Sequence, residues 1–310
     1  MAVSQQLIKN KFLSHITISD IKLRILQLFV LTATLALSSL TAHAVNSTLQ
    51  PISTRYAQTQ DAISIEVGAT TFSDIELEEA DGFDGWSAGA EVVVPLKVVS
   101  ERMQVRLLIP FYTDGDATIT DPELPDVGED IDIDGNGGLY DFAIAQFEHQ
   151  LFTLKDDDFN AAYYAGWGKV IESLDTTTTS DKDLYNHSGK VTVGGIKYDH
   201  PVSLLGSESQ LLLNAGFRYY YETDDLHPDD EDDFIWADLR GAIVFESIGE
   251  LIVPVLELSF LGDSDYSDLQ LQPQVIIPFN DNVSIKLGGY VGLLSDGSDG
   301  GGTAILAIGF

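Results

Sequence analysis

The 310-residue sequence contains no cysteine. Disulfide bonds, thiolate catalysis and cysteine-ligated metal sites are therefore excluded. Basic residues are also scarce, because 16 lysines and arginines stand against 49 aspartates and glutamates, giving a formal net charge of −33 at pH 7. Binding to nucleic acid requires a basic surface, so we expect no nucleic acid partner. The same imbalance argues against docking on anionic lipid through a polybasic patch.

Long apolar runs are scarce as well. The one run that approaches the length of a membrane-spanning helix covers residues 25–40, follows Lys22 and Arg24, and precedes Ala42-His43-Ala44. A basic start, an apolar run and a small-residue cleavage motif are typical of a secretory signal peptide. We predict that residues 1–44 are a cleaved signal peptide. The alternative is an uncleaved transmembrane anchor, for which the run is short.

The rest of the chain must span by strands if it spans a membrane at all. No second apolar stretch approaches 18 residues. In lipid, only helices and closed barrels satisfy the hydrogen-bonding groups of the backbone.

Apolar and polar residues alternate with a period of two from residue 61 onward. In residues 282–294 one set is apolar or small and the other set is polar or small: Val283, Ile285, Leu287, Gly289, Val291 and Leu293 against Ser284, Lys286, Gly288, Tyr290 and Gly292. This pattern indicates a strand with one apolar and one polar face.

Twelve segments of this kind can be counted. They cover residues 61–72, 84–95, 101–112, 138–150, 159–172, 188–199, 209–222, 234–246, 251–261, 267–279, 282–294 and 302–310. Short and long links alternate between them, as in bacterial barrels with short periplasmic turns and long outer loops. The sequence predicts an all-β, transmembrane, antiparallel up-and-down barrel of about 12 strands, at residues 61–310, with both termini periplasmic.

The remaining features agree with an outer-membrane location. Acidic residues crowd the long links, with nine between Asp114 and Asp134. The C-terminal Phe310 resembles the terminal aromatic residue that the barrel assembly machinery recognises, so this machinery, outer-membrane lipid and lipopolysaccharide are the expected partners. Residues 45–60 are interpreted as a short periplasmic segment before the barrel.

Charged residues on the predicted polar faces are candidates for lining the lumen. They are Glu66, Glu91, Arg102, Arg106, Asp141, Arg218, Asp238, Arg240, Glu257 and Lys286. Acids and bases mixed inside a barrel can line a pathway for polar solutes. Alternatively, they pair with each other across strands and fill the lumen.

One long link carries the ligand spacing of an EF-hand calcium loop. The candidate ligands are Asp130, Asp132, Asp134, Asn136 and Asp141, with Gly135 at the sixth position. Asp141 stands where an EF-hand has a bidentate glutamate. A plain acidic turn is the alternative, and calcium is the one cofactor that the sequence suggests.

Catalytic residues are not indicated. Beyond the predicted signal peptide, the only neighbouring histidine and serine are His187 and Ser188, whose side chains would point to opposite faces of a strand. We therefore expect a protein that is not an enzyme, with a lipid-modifying barrel as the least favoured reading.

Two strand-end motifs resemble a known family. Leu108-Ile109-Pro110-Phe111-Tyr112, followed by Gly137-Gly138-Leu139-Tyr140-Asp141, is similar to the transporter-like outer-membrane family named for the phenol-degradation meta pathway. The resemblance covers roughly residues 100–200, and the family's Pro-Thr-Gly element is missing after Trp167. It implies uptake of small hydrophobic or aromatic compounds.

The sequence therefore predicts an outer-membrane channel or transporter for small solutes, either hydrophobic or aromatic compounds or cations. The second hypothesis is a structural or adhesive surface barrel with a plugged lumen.

Overall fold

A computed structural model describes most of the chain beyond the predicted signal peptide, which lies outside it. The described residues are 48–75, 80–120, 127–128, 130–135, 143–169, 174–177, 188–204, 206–224, 233–249, 251–264, 266–294 and 297–310. None of them belongs to a helix that is long and apolar enough to cross a membrane.

The described residues form fourteen strands and a four-residue helix, α1 (Leu154–Asp157). The strands are β1 (Ser64–Ile75), β2 (Ala80–Pro95), β3 (Met103–Ile119), β4 (Asp130–Gly135), β5 (Ala143–Phe152), β6 (Asn160–Lys169), β7 (Leu174–Thr177), β8 (Ser188–Leu204), β9 (Ser207–Asp224), β10 (Phe234–Val244), β11 (Val253–Gly262), β12 (Ser267–Asn280), β13 (Val283–Gly292) and β14 (Gly300–Gly309).

Twelve of these strands close into an antiparallel barrel. When β4 and β7 are left out, each strand pairs with the strands that precede and follow it in the chain. The strands β4 and β7 lie outside the ring. The ring closes where Ser64 of β1 pairs with Gly309 of β14. Closure removes the free sheet edges of the ring, so each of its twelve strands has a hydrogen-bonding neighbour on both sides. The predicted twelve-stranded up-and-down barrel is confirmed.

The two rims of the barrel differ in the length of their links. The short-link rim carries the connections 96–102, 153–159, 205–206, 245–252 and 281–282, together with both strand ends Ser64 and Gly309. The long-link rim carries the other connections, including those that contain β4 and β7. Which rim faces the periplasm stays a prediction.

The two faces of the wall differ in polarity as the alternation predicts. In β13, Ser284 and Lys286 are fully buried towards the lumen, whereas Leu287 and Val291 are exposed on the outside. Exposed leucines on other strands extend this apolar outer band: Leu213, Leu239, Leu256 and Leu258. An apolar outer surface around a polar interior is the arrangement that hydrocarbon requires.

The strand β3 runs past the barrel wall on the long-link side. A bulge at Phe111 shifts its register against β2, since Ala88 pairs with Tyr112 and Gly89 pairs with Pro110. With 17 residues, β3 exceeds the ~9–11 that cross a membrane. Its outer part pairs with β4, which pairs with β7.

This extension has an apolar and an acidic face. Ile119, Ile131 and Ile133 are buried. On the other face Asp116 lies directly opposite Asp132. A hydrogen bond to Asp132, with burial and the nearby acidic charges as smaller causes, raises the pKa of the Asp116 carboxyl above its usual range.

A charged substitution on the apolar outer band should weaken folding into the membrane. We expect Leu258→Arg, near the middle of β11, to cost about 2–4 kcal/mol of unfolding free energy, because the charge would face hydrocarbon. Val98→Arg, in the fully exposed link between β2 and β3, is the control and should cost little. Urea unfolding in liposomes measures both, and equal losses would contradict the assignment of the outer face.

Removing one acid from the acidic face should stabilise the pairing of β3 with β4 at neutral pH. Because the folded-state pKa of Asp116 is raised, its protonated carboxyl stabilises the folded state. This contribution is fully present below the unfolded-state pKa and is lost as pH rises through the folded-state pKa. We expect Asp116→Asn to slow amide exchange at Ile131 and Ile133 by up to about fivefold at pH 7, in line with weak exposed cross-strand pairs. Wild type and variant should exchange alike near pH 3. A variant that exchanges no more slowly at pH 7 would refute this account.

Candidate functional site

The lumen is occupied near the short-link rim by residues 48–60, called the inner segment below. Thr48, Gln50, Thr54 and Gln60 are almost completely buried, and their neighbours are inward-facing side chains of the wall. Within the expected periplasmic segment 45–60, residues 48–60 lie inside the ring, and the periplasmic location of the segment stays a prediction. The physical reason for the placement inside the ring is that the inward side chains near this rim are polar and offer the hydrogen bonds that the segment needs.

Side chains of the wall hold the backbone of the inner segment. Six of its N–H groups donate to carboxylate or amide oxygens on five strands: Ile52 to Gln274 (3.0 Å), Ser53 (3.2 Å) and Thr54 to Glu257, Ala57 to Asp199 (2.7 Å), Thr59 to Gln150 (3.0 Å) and Gln60 to Gln104 (2.8 Å). A buried backbone donor outside secondary structure requires such a partner. The inward glutamines and acids of β3, β5, β8, β11 and β12 thus bind the chain itself.

The inner segment also contributes a cation to the wall. The Arg55 guanidinium lies 3.3 Å from Glu66 of β1 and 3.3 Å from Glu91 of β2. It also donates to the carbonyl oxygen of Pro51. All three charged side chains are nearly buried.

These contacts belong to a continuous chain of alternating charges around the inner wall. In order, it consists of Lys286, Glu66, Arg55, Glu91, Arg106, Glu148 and Lys197. Removing one member of a buried ion pair leaves the other as an uncompensated buried charge, which lowers the free energy of unfolding by about 3–5 kcal/mol. The alternation therefore ties β13, β1, β2, β3, β5 and β8 to the inner segment.

A second charged group lies on β9 and β10. Asp238 accepts hydrogen bonds from Arg218 at 3.0 Å and from Arg240 at 2.7 Å. Arg240 also donates to the carbonyl oxygen of Ser53 at 2.9 Å, which connects this group to the inner segment.

Two buried carboxylates depend on the inner segment for hydrogen bonds. Glu257 accepts from the N–H and hydroxyl of Thr54 and from the N–H of Ser53, besides the Gln274 amide. Asp199 accepts from the Ala57 N–H, and from Asn160 at 2.6 Å. Among the described residues, no lysine or arginine pairs with either carboxylate.

Within the described part of the chain, two apolar clusters lie in the lumen. Near the short-link rim, Leu49 and Tyr56 of the inner segment pack on a cluster that includes Leu212, Val255 and Ile276. The second cluster is largely aromatic: Tyr220 stacks on Phe234 with ring centroids 4.7 Å apart, and Trp236 stacks on Tyr266 at 4.8 Å.

A cavity of about 410 Å³ lies in the lumen beside the inner segment. Its lining includes Arg55, Glu66 and Glu91 on the charged side, and Leu108 and Tyr164 on the apolar side. Ligand sites commonly have volumes of ~300–1,000 Å³ and combine apolar walls with a few polar groups. The cavity can therefore hold a small organic molecule.

Eight of the ten residues that the sequence suggests for the lumen face it: Glu66, Glu91, Arg106, Arg218, Asp238, Arg240, Glu257 and Lys286. Arg102 instead lies in the link before β3, half exposed, 3.8 Å from Asp156. It lies outside the lumen because the strand begins only at the next residue. Asp141 falls outside the described residues.

Sequence reasoning missed four charged residues of the site: Arg55, Glu148, Asp199 and Lys197. Glu148 alternates with apolar neighbours in β5 and could have been found by this pattern. Lys197 and Asp199 lie in the predicted strand 188–199, where apolar and polar residues alternate poorly. Arg55 precedes the first strand and carries no periodic signal.

The proposed calcium ligands are only partly described. Asp130, Asp132 and Asp134 lie in the extended strand β4, where alternate side chains are spaced about 7 Å apart, whereas an EF-hand loop wraps around its ion. Asn136 and Asp141, as well as His187 of the catalytic alternative, fall outside the described residues. Within the described ranges, no three histidine or acidic side chains are placed to hold a metal ion.

Comparison with known proteins supports the fold. No family model and no curated protein matches the sequence, so the resemblance to the phenol-degradation family stays a prediction. The transport unit of the autotransporter AIDA-I from Escherichia coli matches with a TM-score of 0.52 at 9% identity, covering 90% of this chain and 97% of that chain.

Two further structures match less well. An outer membrane channel from Pseudomonas putida F1 has a TM-score of 0.47 at 11% identity, covering 84% of this chain and 100% of that chain. The translocator domain of the autotransporter NalP from Neisseria meningitidis has a TM-score of 0.44 at 8% identity, covering 80% and 88%. The match to the AIDA-I transport unit shows a shared fold and nothing beyond it. The closed antiparallel ring and its apolar outer band make the protein a β-barrel of the bacterial outer membrane.

Proposed function

We propose that the protein is an outer-membrane channel for small solutes whose pore is closed, in this conformation, by the inner segment. The observation that supports it is the cavity of about 410 Å³ inside the ring, next to a segment that, apart from its chain connection to β1, contacts the wall non-covalently. Passage of a solute requires the inner segment to move away from the wall.

The contacts of the inner segment suit a reversible closure. They are side-chain hydrogen bonds and ion pairs rather than strand pairing, so water and solute can replace them without breaking the barrel. The segment joins β1 through residues 61–63. If cleavage follows Ala44, only residues 45–47 precede it. At this end the carbonyl oxygen of Thr48 accepts a hydrogen bond from Ser284 of β13.

A structural barrel with a permanently plugged lumen is the second candidate. The buried charge chain through Arg55 favours it, because breaking buried ion pairs is costly. The two candidates differ in whether the inner segment leaves the lumen under native conditions.

Conductance in planar bilayers distinguishes the two candidates. We expect the wild-type barrel to stay mostly closed with brief openings, and a chain lacking residues 48–60 to conduct steadily. Heat-modifiable migration on denaturing gels verifies that both proteins are folded. A silent wild type beside a conducting deletion would support the permanent plug, and two folded but silent proteins would reject the channel.

Weakening one anchor of the inner segment should increase opening. We expect Glu257→Ala to raise the open probability about tenfold or more, because hydrogen bonds to a charged group contribute roughly 1.5–3 kcal/mol and this carboxylate accepts three from the segment. Leu256→Ala, the adjacent outward-facing residue, is the matched control and should leave the open probability unchanged. Single-channel recordings give both values, and equal open probabilities would contradict the role of Glu257.

A further inference from the structure

The Arg55 guanidinium binds a pair of carboxylates, Glu66 and Glu91, that borders the cavity. Arg55, Glu66 and Glu91 all contribute to the cavity lining, and Arg55 lies at 3.3 Å from both acids. The two acids come from adjacent strands and lie directly opposite each other in the register of β1 and β2. Like charges in this position repel, so the pair requires cations.

Each of the two carboxylates also pairs with one cation of the wall, but neither of these two cations contacts both acids. Lys286 binds Glu66 and Arg106 binds Glu91. Among the described residues, Arg55 alone contacts both. When the inner segment leaves the lumen it removes this shared cation, and it also removes the N–H donors of Ser53, Thr54 and Ala57 from Glu257 and Asp199.

An open pore therefore has carboxylates that need a cation or a donor from solution. Leaving a buried charge without a partner is strongly unfavourable. A planar guanidinium with several N–H donors can bind two carboxylates at once, as Arg55 does, whereas an ammonium ion acts as a point charge. The acidic residues around the long-link rim raise the local concentration of cations at that entrance.

We propose that Glu66 and Glu91 form a binding site for an organic cation of the guanidinium class, and that Arg55 occupies this site as an internal competitor. A cation that enters the cavity exchanges with Arg55. It binds only the conformation in which Arg55 is displaced, so it shifts the population towards that conformation. The release of the inner segment by the cation rests on the proposed channel function, whereas the binding site itself does not.

The cavity agrees with such a ligand in size and lining. Beside the charged groups, Leu108, Tyr164 and Leu261 provide an apolar wall for the organic part of the cation. Tyr164 already lies under a cation, since the Lys197 ammonium is 5.5 Å from the centre of its ring. Aromatic faces attract cations at this distance.

Chemical rescue of an Arg55 variant tests the site. The full mature barrel in detergent micelles is titrated with methylguanidinium chloride, with methylurea as the neutral probe of the same shape and sodium chloride as the salt control. We expect Arg55→Ala to bind methylguanidinium at least tenfold more tightly than wild type by calorimetry, because the competitor is gone. Methylurea should not bind.

Two variants serve as controls. Arg102→Ala removes an arginine that lies outside the lumen in an exposed ion pair. This variant should bind methylguanidinium as weakly as wild type does. Glu66→Gln combined with Arg55→Ala should abolish the gain in affinity. If Arg55→Ala does not fold, Arg55→Lys keeps the charge but loses the planar donors, and should show a smaller gain in affinity.

The outcomes separate this inference from the channel proposal. Binding by Arg55→Ala no tighter than by wild type or by Arg102→Ala, or equal binding of methylurea, would overturn the cation site. Tight binding in a barrel that stays silent in bilayers would keep the site and reject the channel. In wild-type bilayers we expect methylguanidinium, at equal ionic strength, to raise the frequency of openings, and an unchanged frequency would overturn release by the cation.

Discussion

Every backbone polar group that leaves water must find a partner, and this constraint organises the whole described structure. In the wall, closure of the ring between β1 and β14 supplies the partners. In the lumen, the inner segment has no strand to pair with, so glutamine, aspartate and glutamate side chains accept its N–H groups. The polar interior and the inner segment therefore depend on each other.

The distribution of charge follows from the same constraint. Lysines and arginines are scarce in this acidic chain, yet six of them lie inside the ring: Arg55, Arg106, Lys197, Arg218, Arg240 and Lys286. Each pairs with an acid there, because a buried charge without a partner is strongly unfavourable. Among the described residues, the lumen including the inner segment is thus nearly neutral, while many of the remaining acids lie in the long links of the sequence.

This arrangement connects the fold to the proposed function. In the proposed channel, the inner segment closes the pore and at the same time satisfies Glu66, Glu91, Asp199 and Glu257. Opening in this proposal takes a cation from Glu66 and Glu91, whereas Arg240 loses only the Ser53 carbonyl and keeps Asp238, so the change favours cations in the pore. Arg55 is central to this proposal because it belongs to the inner segment, whereas the carboxylates that it binds belong to the wall.

The sequence by itself determined the barrel, because a period of two is a local property of each strand and link lengths are read directly along the chain. It also indicated most lumen residues, such as Lys286 and Arg240. It did not reveal β4, whose alternating Asp-Ile pattern falls in a predicted long link and was interpreted as a calcium loop or a plain acidic turn. Nor did it reveal the inner segment, whose contacts only the tertiary structure decided. Residues 48–60 have no periodic pattern, and Ile52 binds Gln274 across 222 positions of the chain, so closure of the ring had to bring these partners together.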